Sequence, residues 1–236
     1  MDVGSLDNEM VLSSMNNDMQ LKTLALIGGS GGIGGELSSL LVERYKILNL
    51  SSNDLNLTDV NNLIEFFSNN EIDIVINLSG YNFDCFLHKY NTSNFHEIDK
   101  QLDVVVKGSI NLLNACLPTM RERGFGRIIM ASSVLVSQPL VGTAIYSASK
   151  AFVESLVKTC AIENCQKGIT VNAIQIGYFD VGLTHKFPDN IKEEILASIP
   201  SKRWGSVVEI KNIVDMLIKT EYINGTSIKI NGGKSF

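Results

Sequence analysis

Residues 24–37 read Leu24-Ala25-Leu26-Ile27-Gly28-Gly29-Ser30-Gly31-Gly32-Ile33-Gly34-Gly35-Glu36-Leu37. An unbroken apolar run, a glycine cluster and the start of an amphipathic segment follow one another without a gap. That order predicts a buried strand, a tight turn and a helix. Glycines let the backbone approach a bound group closely, and the free N–H groups and dipole of a helix start favour negative charge, so the turn suits a pyrophosphate. The candidates for this seat are Gly28, Ser30, Gly31, Gly32, Ile33 and Gly34, with Gly28, Gly32 and Gly34 at its centre. The same letters also satisfy Gly-x-Ser-x-Gly, the strained elbow that presents a nucleophilic serine in hydrolases, with Ser30 in the middle. Such an elbow needs a histidine and an acid from later in the chain. His185 is the one well-placed histidine and has no recognisable acid partner. A Walker-type loop is excluded, because no Lys-Ser/Thr pair follows the glycines.

Outward from this turn, the chain from Lys22 onward alternates short β-branched runs with longer amphipathic stretches, the pattern of strand–helix–strand units feeding a parallel sheet. Strands are expected at residues 23–27, 46–50, 54–57, 72–77, 127–131, 169–174 and 227–230, and their even hydrophobicity fits burial on both faces. Helices are expected at residues 34–43, 60–68, 98–121, 144–165 and 207–218, each able to cross the sheet. The fold class is therefore α/β, a doubly wound Rossmann sheet of seven parallel strands with helices on both faces. Only three or four residues separate the second and third expected strands, so the helix between them is expected to be shortened or absent.

A chain of 236 residues, 44% hydrophobic, is long enough for one large core, and residues 21–236 read as a single domain. Residues 1–20 are polar and aperiodic and read as a mobile leader. The net charge of −5 supplies no clustered positive charge, which argues against nucleic acid or an anionic membrane surface as partner. No apolar stretch approaches the roughly 18 residues a membrane helix needs, and no basic-then-apolar secretory order opens the chain, so a cytoplasmic location is expected. Cys85, Cys116, Cys160 and Cys165 form no Cys-x-x-Cys pair and read as reduced, mostly packed thiols. His88, His96 and His185 are too far apart for a local metal motif, and no metal is expected.

Further on, Arg127-Ile128-Ile129-Met130-Ala131-Ser132-Ser133 ends a strand, and Tyr146-Ser147-Ala148-Ser149-Lys150 opens a helix. Tyr146 and Lys150, at i and i+4, share a helical face, so the ammonium can lie beside the phenol and lower its pKa from about 10. A phenol tuned in that way can pass a proton to a substrate oxygen. A lone Tyr-x-x-x-Lys arises easily by chance. Its place after Ser133, in a chain that already carries the glycine turn, gives it weight.

Together these motifs resemble the classical short-chain dehydrogenases/reductases, and the likeness runs from Lys22 to Gly233. Asp73-Ile74-Val75-Ile76-Asn77-Leu78-Ser79-Gly80 resembles the family's fourth-strand motif, and Gly168-Ile169-Thr170-Val171-Asn172-Ala173-Ile174 its sixth strand. Pro200-Ser201-Lys202-Arg203-Trp204-Gly205 is similar to the segment after the lid, and Gly225-Thr226-Ser227-Ile228-Lys229-Ile230-Asn231-Gly232-Gly233 to the closing strand and turn. The resemblance implies a nicotinamide dinucleotide that supplies or accepts hydride. It further implies Tyr146 as general acid/base, Lys150 as the group that lowers its pKa and holds the nicotinamide ribose, and Ser133 as a hydrogen-bond partner of the carbonyl oxygen. Asn77, Ser79 and Gly80 would then support the adenosine side, and Gly177 would contact the cofactor from the strand-six end.

The pattern departs from the family at three places. Val105 stands where a catalytic Asn is usual, which predicts a weakened or rerouted proton relay. Ile176-Gly177 replaces the expected Pro-Gly, and Val181 replaces a threonine that usually meets the carboxamide. At the end of the second strand Leu50-Ser51-Ser52-Asn53 offers neither the acid that binds the ribose of NAD nor the base that binds the phosphate of NADP. The hydroxyls of Ser51 and Ser52 tip the expectation slightly toward NADP over NAD. The overall pattern is nearest to the 3-oxoacyl-(acyl-carrier-protein) reductases, which implies a carbonyl substrate carried on an acyl carrier protein, with Arg121, Arg123 and Lys167 as a docking patch. Reduction of a keto-sugar or secondary metabolite fits almost as well. A dinucleotide-binding sensor or scaffold that has lost chemistry is the alternative of a different class, with Val105 as its support. The resemblance also implies a substrate lid at about residues 178–203, whose Phe179, Leu183, Phe187, Ile191, Ile195, Leu196 and Ile199 either cover an apolar substrate or pack the lid onto the core. The two long helices at 98–121 and 144–165 have outward apolar character, so a homodimer or homotetramer is expected.

Overall fold

Leu24 and Leu26 feed one apolar cluster and Ala25 and Ile27 another, because successive side chains of a strand point to opposite faces. They belong to β1 (Thr23–Ile27), the strand next to the edge of a sheet in a computed structural model that describes residues 21–182, 184 and 187–234. The leader read at residues 1–20, and Leu183 and His185, lie outside the described residues. The remaining strands are β2 (Lys46–Leu50), β3 (Ile74–Asn77), β4 (Gly126–Ser133), β5 (Ile169–Ile176) and β6 (Ser227–Ile230). They form one sheet in the order β2-β1-β3-β4-β5-β6, with every pairing parallel.

Helices cover both faces. On one, α2 (Val60–Asn69), α4 (Gly108–Arg123) and α5 (Ala144–Asn164) bury Leu63, Phe67, Leu112, Cys116, Val153 and Val157 against Ala25, Val75, Ile128 and Val171. On the other, α1 (Gly32–Leu41) and α7 (Val207–Lys219) bury Leu37, Leu41, Val214 and Leu217 against Leu24, Ile76, Ile129 and Ile174. Two of these helices start where the sequence places a capping acid or hydroxyl. Asp59 accepts from Asn62 N at 3.1 Å, and Ser206 and Glu209 form a reciprocal capping box.

Among the described residues the sheet has six strands rather than seven. The segment expected as a strand at 54–57 forms turns instead, because Ser51 donates from both its N–H (2.8 Å) and its hydroxyl (2.6 Å) to the Asp54 carboxylate, and Leu55 N–H returns to Ser51 O. Leu55 and Leu57 still reach the core, as plugs rather than as a ladder. β2 is therefore the sheet edge, and α2 carries the chain from it straight to β3. The helix whose absence between the second and third expected strands looked like a defect is absent because the strand is absent too.

The helix expected at 98–121 is broken in two. A short α3 (Phe95–Leu102) passes through a wide π turn at Asp103–Lys107 into α4. Such turns insert one extra residue and redirect the backbone. Val105 lies inside this turn, buried, with its carbonyl accepting from the Ser109 hydroxyl at 2.6 Å. One helix escaped the sequence reading, α6 (Asp189–Ser198) in the lid.

Because Leu55 is 1% exposed and plugs the apolar layer below α2, Leu55→Ala is expected to cost about 2–4 kcal/mol, read as a lowered urea midpoint with unchanged slope.

Candidate active site

Parallel strands deliver their carboxyl ends to one edge, and a cleft of about 710 Å3 opens there between the glycine turn, the segment after β3, the end of β4, the start of α5 and the lid. Gly28 has φ of +79°, and a Cβ on it would sit 2.9 Å from Ser79 N. A Cβ on Gly34 would sit 2.4 Å from the Gly28 carbonyl, so neither position tolerates a side chain without movement. The turn is tied to β2 by Gly28 N–H donating to Leu50 O at 2.9 Å. No side chain caps α1 and no acid occupies its first turn, so its positive end stays bare where it meets the cleft. Gly28, Gly31, Gly32, Ile33 and Gly34 all line the cleft, which fits the pyrophosphate of a dinucleotide.

Ser133 is the last residue of β4 and pairs in register with Ile176 of β5, placing it beside Gly177. Its hydroxyl accepts from Leu135 N at 3.2 Å and hydrogen-bonds with Tyr146. Tyr146 stands in the first turn of α5, and Lys150 follows one turn later. Burial raises the Tyr146 pKa above its ordinary 10, the Ser133 hydrogen bond pulls it down, and the charge of Asp84 raises it. Lys150 Nζ donates to Ala131 O at 2.8 Å and lies 5.9 Å from the centre of the Tyr146 ring. Burial lowers the Lys150 pKa to about 8. The sequence reading has the ammonium acidify the phenol. In this state the ammonium is turned to a backbone carbonyl, and desolvation, the larger effect, drives the phenol the other way.

The cleft thus gathers Ser133, Tyr146 and Lys150 with Ser79, Gly80 and Gly177 and the glycine turn. Four expected residues lie outside its lining. Ser30 is exposed and does not line the cleft. Asn77 is buried and supports the wall indirectly, accepting from Ser79 N (3.0 Å) and Ser79 Oγ (2.6 Å). Ser51 and Ser52 stand at the end of β2, where the proton of Ser51 is committed to Asp54. Ser30 thus lies outside the cleft lining that holds Ser133, Tyr146 and Lys150, which removes support from the hydrolase elbow.

Val105 does not line the cleft. Of the lid residues, Phe179, Phe187, Ile191 and Ile195 line the cleft, whereas Ile199 is buried in the core. Tyr81, Asp84, Tyr178, Thr184 and Glu194 also line it, and sequence reasoning missed them all. Tyr81 and Asp84 fall in the irregular stretch after β3, where no periodicity marks a side chain's direction. A carboxylate in a segment with no strand or helix pattern was the only available signal. Among the described residues no group of three metal-ligating side chains occurs.

A family model described as Enoyl-(Acyl carrier protein) reductase matches residues 56–235. A 3-oxoacyl-(acyl-carrier-protein) reductase FabG of Staphylococcus epidermidis is 34% identical over 164 residues, 69% of this chain and 66% of that protein. An acetoacetyl-CoA reductase of Shinella zoogloeoides is 34% identical over 168 residues, 70% of this chain and 68% of that protein. The match therefore spans about two thirds of the length of these curated relatives. Among solved structures, a protein assigned as a 2-deoxy-d-gluconate 3-dehydrogenase from Agrobacterium tumefaciens, with bound NADP, superposes with a TM-score of 0.83 at 22% identity, covering 92% of this chain and 97% of that one. ElxO with NADP bound gives a TM-score of 0.81 at 20% identity, covering 91% and 99%. These two likenesses establish the fold.

The buried ammonium gives a test of the geometry. The unfolded chain holds the Lys150 proton up to about its ordinary 10.5, but the folded protein holds it only to about 8. The unfolded state therefore binds more protons between these values, and the penalty is complete below pH 8 and fades toward pH 10.5. Lys150→Met is expected to raise stability at pH 7 by on the order of 1–3 kcal/mol, with the gain shrinking above pH 8 in denaturant titrations.

Proposed function

Because the chain belongs to the short-chain dehydrogenase/reductase family, we propose that it is an NAD(P)-dependent oxidoreductase interconverting a ketone and a secondary alcohol. The observation that carries this reading is the convergence of Ser133, Tyr146 and Lys150 on the cleft that also exposes the bare start of α1. The N–H groups of Gly32, Ile33 and Gly34 would hold the pyrophosphate, and Lys150 and Gly177 the nicotinamide half. When bound, the nicotinamide supplies or accepts hydride.

The chain's own residues handle the proton. Ser133 Oγ hydrogen-bonds to the substrate oxygen, while the Tyr146 hydroxyl delivers a proton to it in reduction and takes one back in oxidation. The apolar walls of Val134, Leu135 and Ile176 exclude water around that transfer. Lys150, titrating near 8, can turn from Ala131 O toward the phenol when a ligand oxygen enters. Positive charge beside the phenol would then offset the rise that burial causes. The π turn supports activity rather than its loss. It keeps the backbone bend at Val105 without the Asn side chain, and the Ser109 hydroxyl anchors the Val105 carbonyl.

For the cofactor, the NADP found in both structural neighbours supports the phosphorylated form, with Ser52 the uncommitted hydroxyl at the β2 end; NAD is the alternative. The two reductase relatives support a 3-oxoacyl thioester as substrate. A keto-sugar is supported by the name of the gluconate-type neighbour. Of the cations read as a carrier-protein patch, Arg121 is bonded to Glu163 O and Asn164, and Arg123 to Ile72 O. With Lys167 they stand at the amino-terminal end of the sheet, away from the cleft of their own chain, so a carrier docked there would have to serve a partner's cleft.

Exposed Ile110 on α4 and Ile162 on α5 support a homodimer or homotetramer built on these two helices. The unpaired cysteines support a reducing, cytoplasmic setting. No described helix is long and apolar enough to cross a membrane.

Following nicotinamide absorbance over a panel of ketones and acetoacetyl thioesters is expected to show turnover. Tyr146→Phe should lower kcat/KM by roughly 10²- to 10⁴-fold while leaving dinucleotide binding measurable. Dinucleotide binding without turnover of any ketone would instead favour a sensor or scaffold. In analytical ultracentrifugation, Ile162→Asp is expected to shift the protein toward monomer, because a charge at a buried apolar contact is left unpaired.

A further inference from the structure

We propose that Asp84 determines which ketones the cleft accepts, favouring those with an amino or hydroxyl donor a short distance from the carbonyl and turning away those with a carboxylate in that place. This rests on the carbonyl–alcohol reading and names the substrate class of the same site.

Asp84 is held in position although its side chain is exposed. The residue before it is pinned by Phe83 N–H donating to Oε1 of the buried Gln101 at 2.9 Å, and the residue after it by Cys85 N–H donating to Gly142 O at 2.9 Å. Gln101 belongs to α3, and Gly142 to the loop that leads into α5 and Tyr146. Both bonds fix the backbone on either side of residue 84, so its side chain is presented from a braced segment.

The carboxylate is also available. Those of Asp54, Glu154 and Glu209 are spent on Ser51, Ser132 and Arg203, whereas no hydrogen bond or ion pair within the described residues engages Asp84 or Glu194. These two line the cleft, Asp84 from the segment after β3 and Glu194 from the lid helix α6. Among the described lining residues Lys150 is the sole cation, and it is buried and turned to Ala131 O. Among the described lining residues the cleft mouth therefore carries negative charge that no exposed cation neutralises. The charge of Asp84 acts on the reacting end as well, since it raises the pKa of both Tyr146 and Tyr178. Around these groups the lining is apolar, with Leu135, Leu140, Ile191 and Ile195. A matching ligand has an apolar body, a carbonyl for Tyr146 and a donor for Asp84. A ligand with an anion there meets repulsion and an unpaired acceptor.

The test uses the full chain with NADPH and four matched ketones: cyclohexanone, 4-hydroxycyclohexanone, 4-aminocyclohexanone and 4-oxocyclohexanecarboxylate. The expected order of kcat/KM is amino, then hydroxy, then carboxylate, with about tenfold or more between the cation and the anion at low salt. Asp84→Asn should bring that ratio to within about threefold, Asp84→Glu should restore it, and half-molar salt should shrink it in the unmodified protein because an exposed charge is screened. A preference for the carboxylate, or a ratio that Asp84→Asn leaves as it was, would overturn the proposal. If none of the four is reduced, ligand-observed NMR of the same compounds separates the two readings. A cation-over-anion order that Asp84→Asn erases would sustain charge selection while the ketone chemistry falls, and equal binding of all four would end both.

Discussion

Every strand of this sheet runs in the same direction, and that constraint places the chemistry. Parallel pairing sends each chain reversal over a helix and brings the carboxyl ends of β1, β3, β4 and β5 to a common edge. The glycine turn, Ser79, Ser133 and Gly177 are loop or strand-end residues far apart in the chain, yet all emerge there. Reversing any one strand would carry its contribution to the opposite end of the molecule.

Against that frame the site is an expensive arrangement. Lys150 is 4% exposed, and its ammonium donates to a backbone carbonyl, that of Ala131. Holding a cation there costs stability, as the depressed pKa shows, and the surrounding core must offset it. The same burial keeps water from the phenol and strengthens whatever charge a ligand brings. At the opposite end of the sheet, buried Arg127 illustrates the structural use of a cation. It is surrounded by the carbonyls of Ile218, Gly126 and Gly168, stacks on Phe125 and pairs with Glu221, so its charge is compensated and it ties β4 to α7.

Sequence reasoning succeeded where local physics and tertiary context agree. β1, β2 and β6 form over the residues their apolar runs mark out, and α2 and α7 begin where a capping residue precedes an amphipathic run. It failed at 54–57, where two leucines in a polar setting look like a short strand but a side-chain clasp between Ser51 and Asp54 bends the chain first. A side-chain bond of this kind competes with the ladder, and nothing in the period of the apolar residues records it. The break at Asp103–Lys107 was equally hidden, because a π turn shifts the register by one residue while the apolar pattern runs on across it. Asp84 went unnoticed for a third reason, since irregular backbone gives no rule for where a side chain points.

By itself, the sequence determined the strand–glycine–helix unit, the alternation that makes the sheet parallel, and the pairing of Tyr146 with Lys150 on one helical face. Each of these is set by spacing along a few neighbouring residues. Only the tertiary structure decided that the sheet of the described residues has six strands, that the ammonium of Lys150 turns to Ala131 rather than to the phenol, and that Asp84 and Tyr146 line one cleft. Those outcomes depend on burial and on contacts between residues distant in the chain, which spacing does not encode.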